Sequence, residues 1–125
     1  MKTGFEEDFL EKELSEVHAM NRHSWQLMGE NGYTPDQAIQ LDFVFVTEER
    51  AHAKRFQAFL EELDYKVKVV NNDDEFEISG KTPAMQLTLE SLNQWTDQMT
   101  AHGSQYGCMF DGWTTPLVLK KGVRH

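Results

Sequence analysis

A chain of 125 residues fits the usual size of one domain, and its 39% apolar and 11% aromatic content suffices for one core, which excludes global disorder. Twenty-one Asp and Glu against 12 Lys and Arg give a formal net charge of −9, a field that repels a phosphate backbone unless a local basic patch overrides it. A basic protein surface suits that charge better, although solubility alone would explain the same acidity.

Residues from about 6 to 30 read as a first helix. Leu10, Leu14, Val17, Ser24 and Met28 fall close to one stripe, with Phe9, Met20 and Leu27 at its edges. Glu6, Glu7, Asp8, Glu11 and Glu13 crowd its start, where the helix dipole favours negative charge. Asn31-Gly32 stops it, and Thr34-Pro35 suggests a short capped turn. The run 41–47 alternates as a strand with both faces substantially apolar. Thr47 is then expected to cap a helix over 48–63, burying Ala53, Phe56, Phe59, Leu60 and Leu63.

A hairpin is the clearest local pattern. Residues 65–70 and 75–79 both alternate, and Asn71-Asn72-Asp73-Asp74 between them has turn chemistry. A four-residue loop would set Val70 against Glu75, Lys68 against Glu77, Val69 against Phe76 and Val67 against Ile78. A connection containing Pro83 follows. Leu89, Leu92, Trp95, Thr96 and Met99 then form a third helical stripe closed by Gly103, and a last strand is expected over 105–111. Trp113 would come directly after that strand, with a short apolar segment, Leu117-Val118-Leu119, beyond it. After the first helix the order is strand, helix, strand, strand, helix, strand. Right-handed crossovers turn that order into an α+β, ferredoxin-like βαββαβ antiparallel sheet with an additional N-terminal helix. The sequence does not decide whether that helix lies along a sheet edge or over the second face. Residues 1–125 are read as a single domain, ordered over about 6–118.

Catalytic chemistry finds no support. Cys108 is the one cysteine, so an internal disulfide and a cysteine-built zinc site are excluded. His18 and His23 are five apart on one helix and do not share a face. Glu48 with His52 lacks a third ligand, and His102 suits a helix end. No serine sits in a Gly-x-Ser-x-Gly turn, and no glycine-rich phosphate loop occurs. No catalytic residue, metal or cofactor is therefore assigned. Direct RNA binding would need aromatics on the central strands interleaved with Lys or Arg; Phe43, Phe45 and Phe110 lack that company and read more simply as core. No stretch approaches the ~20 apolar residues of a spanning helix, and no leader pattern follows Met1, so a cytoplasmic location without membrane contact is expected. Trp25 lies off the main stripe of the first helix. Trp113 is either a plug closing the sheet or an anchor at a protein interface.

The segment Phe110-Asp111-Gly112-Trp113-Thr114-Thr115-Pro116-Leu117-Val118 resembles the terminal aromatic-Asp-Gly-Trp-x-Thr motif of the regulator of ribonuclease activity B family. The element order, Asn31-Gly32 and the passage from Leu63 to Val67 agree with it. The resemblance implies a ferredoxin-like fold and inhibition of the endoribonuclease E by protein–protein contact with its scaffold region. The regulator itself would neither cut nor read RNA. It also marks Phe110, Asp111, Gly112, Trp113 and Thr115 as candidate partner-binding residues, and Trp25, off the main stripe of the first helix, is a further candidate. Thr114 departs from the Gly that many members carry. The acidic tail of some members is replaced here by a basic ending with Lys120, Lys121 and Arg124. Ribonuclease E or another basic protein is the expected partner. A small-molecule-sensing module of the same fold and a direct RNA binder remain the alternatives.

Overall fold

The computed structural model describes residues 4–116, with side chains from residue 15 onward. The elements in chain order are α1 (Gly4–Glu30), β1 (Ala38–Ile39), β2 (Asp42–Thr47), α2 (Arg50–Glu62), β3 (Lys66–Asn72), β4 (Glu75–Lys81), β5 (Met85–Gln86), α3 (Leu89–Gln105) and β6 (Met109–Thr114). The expected apolar positions Phe9, Leu10 and Leu14, and the segment Leu117–Leu119, lie outside the described side chains.

Four strands form an antiparallel sheet in the order β3-β4-β2-β6, which is the ferredoxin-like arrangement expected from the element order. Alternation along β2 drives Phe43, Phe45 and Thr47 into the core and leaves Asp42, Val44 and Val46 half-buried. Phe45 is wholly enclosed, its ring edge-on to Phe56 with centroids 4.6 Å apart. Burying a ring so completely contributes on the order of 2–3 kcal/mol. Helices α2 and α3 cover this face through Ala53, Phe56, Leu60, Leu92, Trp95 and Met99. The opposite face, with Val44, Lys68, Val70, Ser79 and Met109, carries no helix among the described residues.

Helices α1, α2 and α3 stop in one way. Gly32, Asp64 and Gly107 adopt φ values of 100°, 72° and 72°, and the following N–H reaches back to the carbonyl of Met28, Leu60 and Gly103 respectively. These left-handed stops satisfy carbonyls that a helix end otherwise leaves unpaired. At the other end of α3, Thr88 and Ser91 exchange side-chain and backbone hydrogen bonds in a capping box.

Several expectations need correction. The hairpin loop has two residues, Asp73 and Asp74, instead of four, because Asp73 accepts a φ of 57° and closes a tight turn. Asn71 and Asn72 thereby join β3, and the pairing slips by two: Val69 faces Ile78, Val70 faces Glu77 and Lys68 faces Ser79. A slip of two keeps every side chain on its expected face. Thr47 ends β2 rather than capping α2, and its hydroxyl accepts from the Glu49 N–H at 3.3 Å. Leu63 is the exposed cap of α2 rather than part of its buried stripe. Gly103 lies inside α3, which runs on to Gln105, so β6 starts later than expected and contains Trp113. The Pro83 connection holds β5, which pairs with β1 in a separate two-stranded ladder.

Candidate functional site

β6 would be a regular strand but for a bulge. Phe45 pairs with Phe110 and Val44 with Gly112, so the register shifts between Val44 and Phe45. Phe110 and Trp113 are three residues apart and would face opposite ways on an unbroken strand. The extra residue returns both to the helix-covered face, where Phe110 packs on Phe45 and Trp95, and Trp113 joins the rim of the core. Gly112 sits at φ 120° with open space where a Cβ would stand, so the backbone angle and not crowding calls for glycine. The Asp-Gly-Trp motif is thus a device for turning the indole inward.

What the indole meets is α1. Its Nε1–H donates to Asn21 Oδ1 at 2.8 Å. Asn21 is 1% exposed, and its amide in turn donates to Asn93 Oδ1 at 2.8 Å and to Thr96 Oγ1 at 3.0 Å. One buried amide therefore ties α1, α3 and β6 together, with both of its N–H groups and its carbonyl engaged. Nearby, His18 Nε2 and Asp97 Oδ1 meet at 2.7 Å and add a second polar tie between α1 and α3. The additional helix thus packs beside α3, towards the β6 edge, and not over the second face of the sheet.

Between α1 and β6 a groove of about 300 Å³ remains, lined by Val17, Met20, Asn21, Ser24 and Phe110 to Trp113. Met20 stands 64% exposed at its lip, and Asp111 offers an exposed carboxylate. The structure brings four of the expected residues together here: Phe110, Asp111, Gly112 and Trp113. Thr115 is not at the groove. It is fully buried, and its hydroxyl has no hydrogen-bond partner among the described residues. Trp25 is half-buried and stands edge-on to Tyr33, centroids 5.7 Å apart, away from the groove lining. Asn21 was not legible as a site residue, yet a signal exists: it sits on the stripe Val17, Asn21, Ser24, Met28, where an amide amid apolar positions marks a buried polar contact.

Other chemistry is sparse. No cluster of three or more His, Cys, Asp or Glu among the described residues is placed to hold a metal ion. Cys108 is 3% exposed, and burial pushes its thiol up to about 11, so it is protonated at neutral pH and a poor nucleophile. In unfolded chain the thiol ionises near its ordinary value, so its burial stabilises the fold fully below about pH 8.5 and progressively less as pH rises towards 11. A thiol reagent at pH 8 should therefore label denatured chain rapidly and native chain slowly. Equal rates would mean that Cys108 is accessible. Phe43, Phe45 and Phe110 all face the helices, so the open sheet face lacks the aromatic platform on which single-stranded RNA stacks. No described helix is long and apolar enough to cross a membrane.

A family model described as regulator of ribonuclease activity B matches residues 18–115, a span that holds the sheet, the Asn21 contact and the Phe110–Trp113 bulge. No curated protein matches the chain. Among solved structures, an ACT domain protein from Streptococcus pneumoniae is similar with a TM-score of 0.50 and 10% identity, covering 66% of this chain and 96% of that one. At that identity the likeness concerns the fold alone.

Proposed function

The chain belongs to the regulator of ribonuclease activity B family, and from that premise we propose that it modulates ribonuclease E without bond chemistry, by holding the enzyme's basic scaffold region in the groove between α1 and β6. The observation that carries this reading is the placement of the Asp-Gly-Trp bulge. It builds one wall of the groove, and an exposed methionine on α1 forms the other. Met and Trp are adaptable and large anchors respectively, and such side chains dominate protein interfaces. Asp111 at the rim supplies a carboxylate for Arg or Lys, and the net charge of −9 draws a basic, extended segment towards the surface before contact. The whole chain acts as one domain in the cytoplasm on this reading, and it takes no cofactor.

The test is a titration with scaffold fragments of ribonuclease E at low and at physiological salt. Affinity should fall as salt rises, because part of the attraction is long-range charge. Met20→Lys changes an exposed side chain, so folding should persist while affinity drops about tenfold, as expected when an anchor is lost. Failure of any RNA-degradation enzyme to bind at low salt would remove the proposal.

A further inference from the structure

β3 is one of the two terminal strands of the sheet, and its outer side has no strand partner among the described residues. The tight turn at Asp73–Asp74 makes Asn72 and Glu75 an inward, hydrogen-bonded pair. Counting back by twos, Val70, Lys68 and Lys66 also turn their main-chain groups towards β4. Val67, Val69 and Asn71 then turn N–H and C=O outward. Gln57 of α2 confirms the phase, since its amide donates to the Val67 carbonyl at 3.4 Å. The outward groups of Val69 and Asn71 remain.

A regular seven-residue edge of this kind is a template for another strand, and proteins usually blunt such edges with bulges or lysines. β6, at the other edge, carries a bulge. β3 carries Lys66 and Lys68 but also Val70, which is 39% exposed on the open face. We propose that this edge pairs with the β3 of a second copy of the chain, antiparallel and centred on Val70, to give one continuous eight-stranded sheet. In that register Val69 and Asn71 each exchange both main-chain hydrogen bonds with the other copy's Asn71 and Val69. The two Val70 side chains meet across the two-fold axis, each Lys68 faces an Asn72, and each Lys66 comes beside the acidic Asp73–Asp74 turn.

Two shifted registers are poorer. Centring on Val69 needs the Val67 carbonyl that Gln57 already engages. Centring on Lys68 sets two like charges directly opposite, which opposes pairing. The lysines that would discourage an arbitrary strand therefore select this one. A contact through one strand edge is small beside the roughly 1,200–2,000 Å² of a stable interface, so weak association is expected.

Sedimentation of the full chain from about 10 μM to 1 mM reads this directly. The chain should go from monomer to dimer over that range. Val70→Lys should weaken dimerisation about tenfold or more, as should Val70→Glu, because each sets like charges opposite at the axis. Net charge argues the other way for the first variant: lowering the charge from −9 to −8 should favour self-association at any other surface. Mixing the two variants should restore dimers, since only residue 70 opposes itself. Melting curves for all three proteins should stay cooperative, with Val70→Glu slightly lower because residue 70 also faces Glu77 within the sheet; the fold is then intact in each variant. A chain that stays monomeric at ~1 mM overturns the proposal. So does a dimer indifferent to Val70→Lys, or a mixture that fails to recover.

Discussion

Replacing Gly103 with alanine is expected to destabilise the protein by about 2–3 kcal/mol and to lower its melting temperature by roughly 10 °C. Helix propensity alone predicts the opposite, a gain of up to about 1 kcal/mol inside a helix. Packing decides the sign. A Cβ on Gly103 would stand 2.5 Å from the Cys108 carbonyl oxygen and 2.7 Å from Cε2 of Phe45. Neither neighbour can yield cheaply. The carbonyl belongs to the backbone leaving α3, and the Phe45 ring is held between Phe56 and Phe110, with centroids at 4.6 and 5.1 Å. The last turns of α3 lie so close to β2 that only hydrogen fits. Gly29→Ala makes the matching control: it is also helical, with nothing within 4 Å of its Cβ position, and should stabilise slightly. Thermal melts of the two variants should move in opposite directions. A higher melting temperature for Gly103→Ala would show that α3 does not approach the sheet this closely.

That glycine also shows what a sequence can and cannot reveal here. Gly after a helical stripe reads as a stop, because the backbone statistics of glycine are local. Its actual cause is a contact with a strand 58 residues earlier in the chain, Phe45, which no local pattern contains. The same limit explains β6. Composition sets an aromatic run near the C-terminus, but the bulge that turns Trp113 inward depends on pairing with β2. By contrast, strand order and the faces of β2, β3 and β4 were legible, since period-two alternation survives even a two-residue slip in register. The slip itself came from Asp73, whose tolerance of a positive φ permits a shorter loop than the four polar residues suggest. The motif residues were legible as a group, and four of them share one groove. Their partner Asn21 is not legible, because an amide within a helix has many solvated precedents and only its three side-chain hydrogen bonds distinguish it.

The second large effect concerns the pair Asn21 and Trp113. Asn21→Leu should cost about 1–3 kcal/mol, because the indole N–H and the Asn93 carboxamide oxygen lose their partner, the buried Asn21 amide, at the half-buried floor of the groove. Trp113→Phe keeps most of the apolar contact but strands the Asn21 carbonyl, and should cost about 1–2 kcal/mol. Trp113→Ala adds the loss of ring packing and should reach about 3–5 kcal/mol. The informative measurement is the double variant, Asn21→Leu with Trp113→Phe. Its cost should fall short of the sum of the single costs by about 1 kcal/mol or more, since removing both ends leaves no stranded group between them. Binding separates the ring's two duties. Trp113→Phe retains an aromatic wall on the groove and should hold its partner nearly as well as the parent, whereas Trp113→Ala should fold less stably and bind more weakly. If the single costs simply add, the indole–amide contact contributes nothing specific, and the groove wall would have to be held by apolar packing alone.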